Sequence, residues 1–335
     1  MGLVTSTSAL PTVTLRALAP ADCERLLTWI ESSDALWQWS GARSFTWPLD
    51  HGQLLRDLAA RADSGELLAG IDDTGEMVGH VLIEAQRHHG LGHIGRVAVA
   101  PDQRGRGLGI ALMRATVEHS FDDLGLHRLQ LMVYTFNAPA IATYRAVGFV
   151  VEGVARDSTL GSDGRWDGVT MSLLEPEYRN PPAYGAGIRI AGPRDAAPIA
   201  QLLTELGYPH DRDGGAAQLL AWAAEAQGEV LVADADAGGG VAGFAAVHRV
   251  PYFERREAFA RVVALSVGVR HRRTGVGRQL MGAVERWAAA HGCVTVEVTS
   301  LRSRDDAHGF YRALGYTDRC AESGRFIRSL AGAGG

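Results

Sequence analysis

The sequence predicts an α/β protein, in its mixed-sheet α+β form, made of two tandem domains. Each domain is expected to hold a mixed central sheet with helices on both faces. Three observations point there. Residues 97–118, VAVAPDQRGRGLGIALMRATVE, read as strand, glycine-rich turn and amphipathic helix. The turn Arg104-Gly105-Arg106-Gly107-Leu108-Gly109 returns as Arg272-Arg273-Thr274-Gly275-Val276-Gly277. Tyr144–Gly148 and Tyr311–Gly315 share one spacing. Gly107 and Gly275 stand 168 residues apart, and Tyr144 and Tyr311 stand 167 apart. Two landmarks repeating almost in register indicate a diverged duplication, with a unit too long for a solenoid repeat.

In chain order, residues 1–11 read as a frayed Ser/Thr-rich tail, and Gly2 with Ser6 matches only the bare myristoylation pattern. The first domain spans 12–176. VTLRAL at 13–18 reads as a strand and Pro20–Ile30 as a helix, with Asp22 and Glu24 well placed in its first turn. Trp29, Trp37, Trp39 and Trp47 crowd the next stretch, four of the seven tryptophans. They suit either a pocket wall for an apolar or cationic substrate or a core under a long loop. Residues 50–62 read as a helix, and 66–72 and 76–86 as strands joined by a turn at Asp72–Gly75. A strand beginning at His93 leads into the glycine turn, and Leu108, Ala111, Leu112 and Ala115 form one face of the helix after it. A strand follows over 127–136. Asn137 can cap a short helix that Gly148 ends, and strands follow from Phe149 and over 164–174.

Residues 177–187, EYRNPPAYGAG, read as a linker. The second domain, 188–331, repeats the scheme. Strands are expected at Ile188–Ile190, 229–234, 241–249 and 293–300, and helices at Pro193–Leu206 and 215–226, with a GGG turn between the second and third strands; AHGFYRALGY follows at 307–316.

Composition narrows the class. The 335 residues, 46% hydrophobic, suit two domains of roughly 100–200 residues each. No apolar run approaches the ~18–20 residues of a membrane span, and MGLVTSTSAL lacks the basic and apolar regions of a signal peptide. A net charge of −5 argues against a general nucleic-acid surface, while leaving room for a local basic groove. Cys23, Cys293 and Cys320 have no metal-ligand spacing, and an odd, sparse count suits a reducing cytoplasm. All 33 basic residues are arginine, so the chain has no lysine of its own to acylate; with the Ala and Gly bias this suggests a GC-rich bacterial origin.

The glycine turn has a chemistry. A helix N-terminus leaves backbone N–H groups unpaired and carries partial positive charge. Glycines there let phosphate oxygens approach the backbone, and Arg104 and Arg106 add full charges. The spacing excludes the dinucleotide fingerprint G-x-G-x-x-G, and the Walker Gly-Lys-Ser/Thr is missing. A plain strand-to-helix connection is the alternative reading.

What fits is Arg/Gln-x-x-Gly-x-Gly/Ala after an apolar strand and a proline. This resembles the acyl-CoA-binding motif of the GNAT N-acetyltransferase superfamily, whose loop amides hold the CoA pyrophosphate. Asn137, Ala140, Tyr144, Gly148 and Phe149 resemble the family's Rim-type amino-terminal and small-amine acetyltransferases. Gly164, Trp166, Asp167 and Met171 are similar to its closing strand, where the family often has one more residue between the aromatic and the Asp. The two-domain layout resembles tandem members such as mycothiol synthase.

The resemblance implies direct acetyl transfer from acetyl-CoA to a primary amine of a small molecule or peptide. It implies donor binding by Val97, Ala98, Val99, Arg104, Gly105, Arg106, Gly107, Leu108, Gly109 and Asn137. In the second half the corresponding residues are Leu265, Val267, Arg272, Arg273, Thr274, Gly275, Val276 and Gly277. A backbone N–H around Val97–Val99 would meet the thioester oxygen. Tyr144 and Tyr311 stand where the family places a proton donor for the departing thiolate. An amine must be neutral to attack, so a base is needed. Glu84 is the expected base, with His93 beside it as an alternative, and Glu257 and His248 are their counterparts in the second half. The first half has the fuller motif set and is expected to be the active one, with both halves able to bind CoA. Three other readings remain: an aminoacyl-tRNA-dependent transferase on the same scaffold, like the Fem-type ligases; a silent acyl-CoA binder; and a plain interaction protein.

Overall fold

The computed structural model describes residues 11–41, 44–61, 65–161, 163–181, 184–208, 218–219, 222, 225, 227–235 and 240–320. Residues 1–10 of the expected 1–11 tail lie outside the described residues, as do most of the expected 215–226 helix and the GGG turn. The chain divides into a unit Met1–Val296 and a smaller unit Glu297–Gly335.

Within the first unit, a seven-stranded sheet is built from β1 (Thr14–Ala17), β2 (Glu66–Ile71), β3 (Met77–Gln86), β4 (Leu91–Val99), β5 (Arg128–Tyr134), β6 (Val150–Leu160) and β7 (Arg165–Leu174). Its order is β1-β2-β3-β4-β5-β7-β6. β4 and β5 pair in parallel, and the other neighbours are antiparallel. The helices are α1 (Asp22–Leu27), α2 (Ser33–Ser40), α3 (His51–Ala60), α4 (Leu108–Glu118), α5 (Ala138–Val147) and α6 (Glu175–Arg179).

Strand alternation distributes the apolar side chains over two cores. Val81, Ile83, Ile94, Leu129 and Met171 pack with Leu112 and Met113 of α4 and Ile141 of α5. Leu82 packs on the other side with Leu26 of α1, Leu36 and Trp39 of α2 and Leu54 of α3. Each fully buried Leu-sized side chain contributes about 1.5–3 kcal/mol. Capping sets the helix starts. The side chains of Ser32, Asp50 and Asn137 accept from Ala35 N (3.1 Å), Gln53 N (2.8 Å) and Ala140 N (3.3 Å).

Four local readings change. α2 occupies the tryptophan-rich stretch, where a pocket wall or a core under a long loop is expected from sequence; Ser32 caps its start. The first helix is α-helical only over Asp22–Leu27. β4 begins at Leu91 rather than His93. α6 runs into the expected linker, because Glu177 Oε2 accepts from Leu174 N (2.9 Å) and Pro176 suits a first helical turn.

The second sheet has the order β12-β11-β10-β9-β8, from β8 (Ile188–Ile190), β9 (Gly228–Asp234), β10 (Val241–Pro251), β11 (Ala258–Val267) and β12 (Cys293–Val298). α7 (Ala196–Leu206) covers the Phe244 face, and α8 (Val276–Ala290) brings Leu280 onto Gly243 from the other. Both halves are therefore mixed α/β layers with helices on both faces. In the smaller unit, α9 (Asp305–Ala313) ends before a left-handed Gly315.

α4 ends in a π turn, His119–Asp123, where His119 lies between Glu66 Oε2 (2.7 Å) and Asp123 Oδ2 (2.8 Å). Burial pushes the imidazole pKa down, but hydrogen bonds and charge from the two carboxylates outweigh it and hold the pKa above the ordinary 6.5. A raised folded-state pKa gives stability that is full below the unfolded value and is lost as pH rises through the folded one. His119→Gln is therefore expected to flatten the fall in melting temperature as pH rises past about 6.5, read by thermal denaturation across pH.

Candidate active site

The site begins with a fault in the sheet. β4 and β5 pair only at Leu91–His93 with Arg128–Gln130. Beyond that point β5 stays with β7, Tyr134 opposite Gly168, and β4 stays with β3, Val99 opposite Gly79. A gap is left between the two parallel strands. At the same place the β3–β4 register shifts between His80 and Leu82, and Arg96 is left-handed, with φ 53°.

A non-glycine residue in that region costs about 1–3 kcal/mol and persists only when its surroundings hold it. Here they do. The buried Arg96 guanidinium pairs with Asp57, one contact being Nη2–Oδ1 at 3.2 Å. It lies 4.8 Å over the Phe45 ring and 5.7 Å over Trp39. Trp39 Nε1 donates to the Arg96 carbonyl at 2.7 Å. Burial pushes the Asp57 carboxyl up, but Arg96 and Arg61 outweigh that and hold it below the ordinary carboxylate value. The tryptophan-rich stretch thus divides by role. Trp29 and Trp39 are core, Trp37 is partly buried and Trp47 is exposed.

Ala100 N donates to Val78 O on β3 (3.0 Å). Alternation along the strand then turns the Val97 and Val99 N–H groups toward the gap. Val99 O accepts from Arg104 Nε (3.3 Å). A short turn, Pro101–Gln103, leads to Gly105 (φ 78°) and to Gly107 (φ 86°), which starts α4 without a side-chain cap. A Cβ on Gly105 would meet nothing within 4 Å. Uncapped N–H groups, open space and the exposed Arg104 and Arg106 are features that could hold a pyrophosphate. Leu108 is buried in the core, and Gly109 faces Thr143 of α5, where a Cβ would make ordinary contact at 3.5 Å.

The second half repeats this backbone. Arg272 Nε donates to Val267 O (3.1 Å), and Gly268 N donates to Ala242 O (2.9 Å). Gly275 starts α8 at φ 98°, and β11 carries a bulge against Ala246/Val247. Leu265 and Val267 take the positions of Val97 and Val99. Where the first turn has Gly105, the second has Arg273 at φ 63°, a left-handed arginine.

Tyr144, only 7% exposed, lies in the core formed with α4 and α5, and Val97 and Val99 pack against the same core. Its hydroxyl has no protein hydrogen-bond partner among the described residues, and burial pushes the phenol well above its ordinary pKa of 10. Asn137 Oδ1 serves as the α5 cap. Glu84 stands opposite His93 in the β3–β4 ladder and is ion-paired with Arg61. That row lies where β4 and β5 are still paired, on the face of α1–α3. His80, opposite Ala98, is neutral because burial lowers its pKa to about 4. In the second half, His248 is opposite Arg261 and its ring meets Trp222, while Glu257 O accepts from Tyr252 N. Tyr311 belongs to the smaller unit, between the rings of Phe310 (5.2 Å) and Tyr316 (6.0 Å). Burial raises its phenol pKa.

Two features had not been singled out from sequence. One is the Arg96–Asp57 pair. The other is a ring cluster at the end of β5: Trp166 meets Tyr134 at 5.0 Å, Phe136 at 5.1 Å and Trp37 of α2 at 6.5 Å. Phe136 is 50% exposed. Their spacing in sequence carries no signal, because three separate elements supply them.

The family model for the GNAT acetyltransferases matches residues 28–149 and again 197–316. The chain belongs to the GNAT family. It carries two family domains in tandem, is an acyltransferase by class and uses acetyl-CoA as donor. It is 36% identical over 130 residues to the L-amino acid N-acetyltransferase AaaT of Escherichia coli, covering 38% of this chain and 78% of that protein. It is 32% identical over 166 residues to the mycothiol acetyltransferase of Paenarthrobacter aurescens, covering 45% of this chain and 48% of that protein. It is 40% identical over 80 residues to the ribosomal protein bS18-alanine N-acetyltransferase of Escherichia coli, covering 23% and 51% respectively. The chain thus spans about half the length of the latter two. Among the described residues, no helix is long and apolar enough to cross a membrane.

Gly105 separates binding from folding. Gly105→Val puts a β-branched residue into a left-handed position and fills the anion seat. It is expected to cost about 1–3 kcal/mol in stability and to weaken acetyl-CoA binding at the first cradle at least tenfold. Gly105→Asn tolerates the conformation and should keep the native melting temperature. Thermal denaturation checks the stabilities and calorimetric titration with acetyl-CoA the affinity.

Proposed function

We propose that the first half transfers acetyl from acetyl-CoA to the primary amine of a small molecule that carries an aromatic or apolar body. The observation that carries this is that Tyr144 packs in the same core as Val97 and Val99, which border the gap leading to the first cradle. Donor contacts come from the backbone of Val97–Val99 and of Arg104–Gly109. Leu108 contributes through its N–H, since its side chain is core.

The neutral amine attacks the thioester carbonyl. Its carbon–nitrogen bond forms while the carbonyl oxygen gathers charge, met by the Val97 N–H. The carbon–sulfur bond then breaks, and the sulfur takes a proton from the Tyr144 hydroxyl. The amine's surplus proton leaves to water, and the phenol is reprotonated from solvent. Because burial holds the phenol above its ordinary value, Tyr144 remains a proton donor throughout neutral pH. Glu84 and His93, side by side on the α1–α3 face, are the acceptors proposed for the amine proton through water. Tyr311 is the second half's counterpart of Tyr144, and the second cradle is a further donor site.

The acceptor reading rests on Trp37, Tyr134, Phe136 and Trp166, an aromatic wall at the end of the splayed strand β5. One relative being an L-amino acid N-acetyltransferase supports a small acceptor. We place the reaction in the cytoplasm, in keeping with the unpaired cysteines among the described residues.

A thiol-release screen over L-amino acids, polyamines and peptide N-termini tests the reading. Turnover is expected with amines bearing an aromatic or large apolar group, and Phe136→Ala should raise the amine KM about fivefold without changing acetyl-CoA affinity. Tyr144→Phe is expected to lower kcat about a hundredfold with acetyl-CoA affinity kept within about twofold; wild-type turnover in that variant would remove the acid role. The wild-type rate should show no alkaline fall from this phenol below about pH 10.

A further inference from the structure

Next to Tyr144 on α5 is an arginine that serves the other half of the molecule. The Arg145 side chain is 6% exposed. Its Nη1 donates to Gly228 O at 2.6 Å, and its Nη2 donates to Glu225 O. Glu229 Oε1 lies 3.5 Å away. All three acceptors belong to the second half, at the entry to β9 and on that strand. A guanidinium out of water must find such partners or its burial is strongly unfavourable. The contact is therefore specific, not incidental packing.

A second contact reinforces it. A Cβ on Gly192, between β8 and α7, would lie 3.3 Å from Ile110 Cδ1 of α4 and 3.7 Å from Ala146 Cβ of α5. The second half thus packs against both helices that shape the first site: α4, which begins at the cradle, and α5, which carries Tyr144.

The duplication supplies an internal control. Tyr144-Arg145-Ala146-Val147-Gly148 recurs as Tyr311-Arg312-Ala313-Leu314-Gly315. Both segments close alike, with Phe149 N bonded to Tyr144 O and Tyr316 N bonded to Tyr311 O, each at 3.0 Å. Yet the Arg312 side chain is 63% exposed and its ion-pair partner is Asp318 (3.7 Å), within its own unit. The repeat itself does not require a buried arginine. Its burial at Arg145 comes from the tandem arrangement.

We infer that Arg145 is a positioning residue through which the second half holds α5, and with it the Tyr144 hydroxyl, in register with the first half's thioester site. This rests on the reading of Tyr144 as the proton donor. It makes the second half a working part of the first half's turnover, whatever the second cradle itself does.

The test uses the full chain and the best amine from the screen. Arg145→Ala is expected to lower kcat at least tenfold, with the acetyl-CoA KM and calorimetric affinity within twofold of wild type. Combined with Tyr144→Phe it should add nothing, because both changes remove one function. Arg145→Lys and Glu229→Gln, which keep more of the contact, should show the same pattern at smaller size and serve if the alanine variant does not fold. A lowered melting temperature with unchanged kcat would mark a purely structural anchor and overturn the proposal. So would losses that multiply in the double variant. Wild-type turnover by Tyr144→Phe, or no turnover by the wild type with any amine, would instead overturn the reading beneath it, and this proposal with it.

Discussion

The first domain depends on one buried contact, the pairing of Arg96 with Asp57 beneath the rings of Trp39 and Phe45. A parallel pair of strands left to itself would continue its ladder. Arg96 interrupts this with a left-handed backbone conformation in β4, and Asp57 and Trp39 hold its side chain and its carbonyl there. The pairing of β4 with β5 stops at His93, and the unpaired stretch becomes a slot between two helical layers. Buried ion pairs add little net stability over an apolar substitute. What this one holds is the left-handed turn of β4 at the point where β4 and β5 part.

The two halves show how a duplicated fold keeps its backbone while its side chains diverge. The Arg104–Val99 bond recurs as Arg272–Val267, and both long helices after the turns start at left-handed glycines. The second turn nevertheless carries Arg273 in a conformation for which the first uses Gly105. The cradle geometry thus survives the loss of the residue type best suited to it. The asymmetry continues at Arg145 and Arg312, each set between Tyr and Ala in a Tyr-Arg-Ala-x-Gly segment but buried against the other half in one case and exposed in the other.

Much of the fold was legible because the relevant physics is local. The apolar run in MVGHVLIEAQ, the cap at Asn137, and glycines ending or starting helices each depend on residues a few positions apart. The elements misread were those decided by weak or mixed signals. α2 was hidden among tryptophans whose roles divide between core and surface, and α6 was hidden in a proline-rich stretch where an acidic first turn proved sufficient. Of the candidate site, the glycine turns and the tyrosine position could be read directly, since chemistry and spacing coincide there.

By itself, the sequence determined the duplication, the mixed-sheet class, the paired glycine turns and the resemblance to acetyl-CoA-dependent transferases, all properties of contiguous segments. Only the tertiary structure decided which side chains meet. Arg96 finds Asp57 across 39 positions, Trp166 gathers Trp37, Tyr134 and Phe136 from separate elements, and Arg145 reaches Gly228 across 83. Contacts of that kind follow from how sheets and helices pack, and no local periodicity or propensity encodes them.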